Sequence, residues 1–144
     1  SMGDMERAIG SSAGPRLRRL LSLATAGYAI ALAVATHYPR PQEILVRLGA
    51  GGVTDKVQHV VAYTVLGLLA AVTLASWNRW ALRNLVLLLG VLALFGAIDE
   101  VTQPLFGRMA DPADWVGDCV GIVAGLLVAA VGVAVVGFRQ PASK

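Results

Sequence analysis

Residues 112–138 read PADWVGDCVGIVAGLLVAAVGVAVVGF, and the last 20 of them, from Cys119 to Phe138, carry no charge. At roughly 1.5 Å of rise per residue, about 20 helical residues cross the ~30 Å hydrocarbon layer of a membrane. Inside that layer no water pairs with backbone amides, so an isolated run of this kind must be a helix. Asp111-Pro112 supplies its start. Aspartate is a favoured N-cap, and proline suits the first helical position because its missing N–H is not needed there.

Working outward, three more apolar runs appear. Leu20–Thr36 and Val57–Trp77 hold no charge, and Ala81–Ile98 holds one, Arg83. Pro39 and Pro41 close the first run and Pro104 the third, since a residue before proline resists the helical conformation. Thr54-Asp55 opens the second, where Asp55 and Gln58 resemble a capping box. These signals predict helices at 17–36, 55–77, 81–103 and 112–138. The fold class is therefore all-α, an antiparallel bundle of four transmembrane helices filling residues 17–138. Ser1 precedes Met2, so residues 1–16 are read as a tag remnant and N-terminal tail; residues 139–144 form a C-terminal tail. Short connections at 78–80 and 104–111 predict that helices two and three, and three and four, are neighbours.

Composition agrees. Of 144 residues, 56% are hydrophobic and 15% charged, against about 25% charged in soluble domains. That excludes a disordered tail, a coiled coil and an ordinary cytosolic enzyme. The net charge of +3 is too small to argue for a nucleic-acid partner. The single cysteine, Cys119, makes neither an intramolecular disulfide nor a thiolate metal site. Eight of the 12 Lys and Arg residues fall on the side of the N-terminus, the second loop and the C-terminus. Seven of the nine acids fall on the other side. By the positive-inside rule both termini are cytoplasmic, and loops 37–55 and 99–118 face outward.

The outward end collects polar groups. Asp55, His59 and Tyr63 share one face of the second helix; Asp111, Asp114 and Asp118 share one face of the fourth. Glu100 and Gln103 close the third, and the following turn supplies Lys56's counterpart cation, Arg108. Ionised groups at membrane depth are costly, so they should face one another or a water-filled hollow. Asp55 and Asp111 read first as caps, and Arg108 as a partner for Glu100 or Asp114. His59, Glu100, Asp114 and Asp118 are the candidates for chemistry, with Asp55, Lys56, Tyr63, Gln103, Arg108 and Asp111 binding a ligand around them, in a pocket between helices two, three and four. The spacing matches no metal signature, so no metal or cofactor is assigned; a cation held by Glu100, Asp114, Asp118 and His59 is a minor alternative. Gly121 and Gly125 predict close helix packing within the chain, with a homodimer face as the lesser reading. Trp77, Trp80 and Trp115 suit an interfacial aromatic belt.

The ordered set Asp55-Lys56-x-x-His59-x-x-x-Tyr63, Glu100-x-x-Gln103, Gly107-Arg108 and Asp114-x-x-x-Asp118-x-x-Gly121 resembles the pattern of VanZ-like membrane proteins. That family commonly has Asn where Asp118 stands. The resemblance covers about residues 20–137. It implies a multi-pass protein of the bacterial cytoplasmic membrane, in a family linked to teicoplanin resistance. Two functions follow as expectations. One is an outward pocket that binds the head group of a cell-envelope lipid or a lipid-tailed glycopeptide. The alternative is an enzyme that modifies such a lipid or a lipid-linked cell-wall precursor. An ion-coupled transporter fits less well, because the polar groups sit at one end only.

Overall fold

A computed structural model describes residues 13–39, 43, 46, 47, 49 and 52–139 of the chain. The architecture is all-helical. Helix α1 is Pro15–Thr36, α2 is Asp55–Ser76, α3 is Leu82–Thr102 and α4 is Pro112–Arg139. A 3-10 turn, Gln103–Phe106, follows α3. Each of the four α-helices is long and apolar enough to cross a membrane. The expected spans are met to within a few residues. The third α-helix ends at Thr102, just ahead of Pro104, as expected; Pro104 itself sits in the 3-10 turn that follows. Gly107 then adopts a left-handed conformation, φ 78°, and redirects the chain into α4. That conformation is nearly free for glycine and strained for a side-chain-bearing residue.

Large apolar side chains point outward all round the bundle, among them Ile30, Val34, Val61, Val65, Val91, Leu94, Leu127 and Val131. In water this surface would be a liability; against lipid tails it is matched. Lipid also removes the hydrophobic drive between helices, so they associate through close packing and polar contacts. The structure bears this out most clearly between α2 and α4, the most intimate pair. A Cβ at Gly121 would strike the Val60 carbonyl, and one at Gly125 the Thr64 carbonyl. A Cβ at Gly67 would stand 2.7 Å from the Ile122 carbonyl. Gly121 and Gly125 therefore face α2 of the same chain, as the intrachain-packing reading expects.

Helices α2 and α3 are neighbours, as their short connection predicts, meeting through Tyr63, which packs on Phe95 and beside Gly96, though α4 takes the larger share of the α2 surface. Helix α1 docks on α2 through Thr25 and Thr73 (Oγ1 to Oγ1, 2.8 Å) and through the Tyr28 hydroxyl, which donates to the Ala62 carbonyl at 3.0 Å. Trp80 departs from expectation. It is buried with Ala71, Ala75, Ala129 and Val133 rather than displayed at the interface. Trp77 remains exposed and carries the Arg18 guanidinium 5.9 Å from its ring centroid.

Candidate functional site

The C-terminal ends of α1 and α3 meet the N-terminal ends of α2 and α4 at one end of the bundle. At roughly four residues per turn-and-a-bit, Asp55, His59 and Tyr63 line one stripe of α2, facing Asp114 and Asp118 on α4. The glycine seam sets this register: a Cβ at Gly117 would lie 3.7 Å from His59 Cβ, and one at Gly121 3.1 Å from Tyr63 Cβ.

At the centre, His59 Nδ1 and Asp118 Oδ1 are 2.8 Å apart, and both residues are buried. An imidazole N–H donated to a carboxylate fixes the tautomer and leaves Nε2 with its lone pair. The His59 ring stacks over Tyr63 at 6.4 Å, and Tyr63 packs on Phe95. Glu100, also buried, accepts the Asp111 backbone N–H on Oε1 and the Gln103 amide on Oε2 at 3.1 Å. It thereby ties the start of α4 to the end of α3.

The rim is more open. Lys56 Nζ reaches Asp111 Oδ2 at 2.7 Å and Asp114 Oδ1 at 3.2 Å. Asp111 caps α4 as expected: its Oδ1 accepts the Ala113 N–H at 2.9 Å. Asp55 does not cap α2. Thr54 holds the N-cap position without a side-chain bond, Gln58 donates to the Val53 carbonyl, and Asp55 Oδ2 accepts from Arg108 Nη2 at 3.1 Å. Arg108 was expected on Glu100 or Asp114. It instead bridges Asp55 and the Thr36 carbonyl (2.7 Å), because the turn at Gly107 carries it towards the end of α1.

All ten residues named from the sequence thus belong to one cluster. Beyond the cluster expected from helices two, three and four, α1 contributes as well, through residues the sequence reading passed over. Thr36 Oγ1 donates to Asp99 Oδ1 at 2.7 Å. His37 Nδ1 lies 3.4 Å from the same oxygen, and its Nε2 lies 2.8 Å from Thr102 Oγ1. A histidine directly after the first apolar run, and a second acid beside Glu100, were the available signals. The cation quartet of Glu100, Asp114, Asp118 and His59 is regrouped: Glu100 is spent on the α3–α4 junction, and among the described residues those whose ligand atoms lie within 4.8 Å of one another are Asp55, His59 and Asp114.

Lys56 beside Asp111 holds the Asp111 carboxyl below the usual carboxylate range, with the Ala113 N–H helping. A depressed folded value means that this interaction stabilises fully above the ordinary aspartate value of ~3.9 and is lost as pH falls through the lower folded value. Both side chains are exposed, so the effect is small. The melting temperature of Asp111→Asn should lie slightly below that of the parent near neutral pH, and the gap should close as acid protonates the Asp111 carboxyl. A gap independent of pH would contradict the pairing.

Four apolar helices with a hydrogen-bonded His, Asp and Glu cluster at one end define a multi-pass membrane protein with a polar site at the edge of its spanning region. A family model described as VanZ/LLP1 matches residues 25–133, and the chain belongs to that family. No curated protein and no solved structure matches it.

Proposed function

We propose that this protein sits in the bacterial cytoplasmic membrane with both termini inside, and that its outward polar end binds the head group of a membrane-embedded cell-envelope molecule, a lipid or a lipid-tailed glycopeptide, in the manner of a teicoplanin-type resistance or envelope protein. The observation that carries this reading is the gathering of six carboxylates, Asp55, Asp99, Glu100, Asp111, Asp114 and Asp118, with Lys56, Arg108, His37 and His59 at one end of a bundle otherwise clad in apolar side chains. Ionisable groups at such a depth point to function before structure. Carboxylates accept hydrogen bonds from hydroxyl and amino groups, and Lys56 and Arg108 can exchange their present partners for a phosphate or carboxylate. Such a surface suits a head group of mixed charge, presented at the level where the helices leave the lipid.

The test is lipid retention. Full-length protein purified in mild detergent should carry a defined envelope lipid, read by mass spectrometry of the extract. Glu100→Gln should lower its yield several-fold, because the carboxylate that anchors the α3–α4 junction loses its charge. Equal retention by parent and variant would overturn the reading.

A catalytic reading rests on one specific feature, the His59–Asp118 pair, which presents Nε2 as a general base. It predicts a chemical difference between envelope lipids of cells with and without the protein. Identical extracts would count against it and leave binding standing.

A further inference from the structure

The end of the bundle away from the carboxylates has a chemistry of its own. There α1 and α3 begin and α2 and α4 end. Among the described residues it carries five arginines, Arg16, Arg18, Arg19, Arg79 and Arg83, and no carboxylate. Three of the five lie among the first five residues of α1, a helix with no acid in its first turn and no side-chain cap at Gly14. A helix start attracts anions through its free amides and its dipole. Arginines gathered there oppose the dipole until an anion joins them.

A groove of about 430 Å³ opens beside them, between α1, α2 and α4. Leu17, Leu21, Leu68, Val72 and Gly132 line it, and Ser76 is the one polar side chain among its described lining residues. The Ser76 hydroxyl is spent on the Thr73 carbonyl at 2.7 Å. Gly132 keeps the groove open: a Cβ there meets nothing within 4 Å, whereas at Gly121 and Gly125 α2 stands in the way. Leu17 sets the arginines against the groove. Adjacent helical residues point about 100° apart, so Arg16 and Arg18 flank Leu17 on either side. The Arg18 guanidinium lies over Trp77, the residue after Ser76, which carries the basic edge from α1 to the end of α2. Loop cations alone suffice to orient a chain in the membrane; an apolar groove on the same face of the same helix is not needed for that.

We propose that this groove and its arginine edge hold one anionic phospholipid of the phosphatidylglycerol type. Its tail lies between α1, α2 and α4, and its phosphate sits beside Arg16 and the start of α1. Guanidinium groups meet phosphate with paired N–H bonds as well as charge. A zwitterionic phospholipid would bring an ammonium among the arginines and fits worse. With both termini inside, this lipid belongs to the cytoplasmic leaflet, where basic clusters beside spanning helices recognise anionic head groups. This goes beyond the head-group reading and stands without it, because the two places lie at opposite ends of the helices.

The test uses the full chain in mild detergent, washed free of lipid and melted against added dioleoyl-phosphatidylglycerol or dioleoyl-phosphatidylethanolamine. Phosphatidylglycerol should raise the melting temperature saturably, with one lipid per chain in native mass spectrometry. Phosphatidylethanolamine should bind about tenfold more weakly. Gly132→Phe fills the groove without meeting a neighbour, so it should melt like the parent without lipid and bind phosphatidylglycerol about tenfold more weakly. Arg16→Gln should weaken binding several-fold and Arg16→Lys less, since lysine keeps the charge. Arg16 is exposed, so these two substitutions read binding without a change of fold. The proposal is overturned if the two lipids bind alike. It is also overturned if binding survives Gly132→Phe and Arg16→Gln but is lost in Asp114→Asn, which would place the lipid at the carboxylate end. A dimer in detergent that Gly132→Phe separates would assign the groove to a second copy and overturn it as well.

Discussion

Gly125→Val should prevent the bundle from forming, whereas Gly132→Val, on the same face of α4 two turns on, should melt within about 2 °C of the parent. The difference lies in what each new side chain meets. At Gly125 a Cβ strikes the Thr64 carbonyl and crowds the Leu68 amide; at Gly132 nothing stands within 4 Å. Overfilling a packed interior typically costs about 1–3 kcal/mol when side chains can move aside. Here the neighbours are backbone atoms of a helix, so relief requires α2 and α4 to part. Parting them also breaks the contacts at Gly67 and Gly121, which have the same character. A cost above about 3 kcal/mol is a large fraction of the ~5–15 kcal/mol that holds a typical domain together. Thermal melting in detergent reads the outcome. A parent-like melting temperature for Gly125→Val would mean that the two helices are not held at this distance. The seam matters beyond stability, because the same glycines set Asp55, His59 and Tyr63 opposite Asp114 and Asp118.

Much of this was legible in the sequence, for physical reasons that also explain what was not. Apolar runs near 20 residues with at most one charge admit one backbone solution in lipid, so all four helices could be read directly. Residues i, i+4 and i+8 share a helix face whatever surrounds them, so Asp55, His59 and Tyr63 could be grouped before any tertiary contact was known. Contacts made between helices carry no such period. Thr36 and His37 are 63 and 65 residues from their partners Asp99 and Thr102, and nothing local announces the pairing. Asp99 neighbours Glu100 in sequence, yet adjacent helical residues point about 100° apart, so each reaches a different part of the cluster. Arg108 sits in a turn, and the left-handed Gly107 decides which acid it meets. Trp80 has the composition of an interface residue, and only the tertiary fold folds it inward against Ala129 and Val133.

His59→Leu alone should destabilise the chain strongly, and adding Asp118→Leu should restore most of the loss. Asp118 is fully buried, and His59 is its closest charge partner at 2.8 Å. Removing one member of a buried, hydrogen-bonded pair leaves an uncompensated polar group and typically costs ~3–5 kcal/mol. Removing both and filling the space with apolar side chains is often neutral or stabilising. Leucine approximates the volume of either residue, and Tyr63, Gly96 and the α2–α4 seam supply apolar or compact neighbours. The double variant should therefore melt close to the parent while losing whatever the polar site does, as read by lipid retention. That separation is the point of the cycle: a fold held up by this pair would lose stability in the single and double variants equally. A pair kept for function would show stability recovered and function gone. If His59→Leu proves harmless by itself, Asp118 is satisfied some other way in the folded chain, and the buried pair ceases to be the centre of the site.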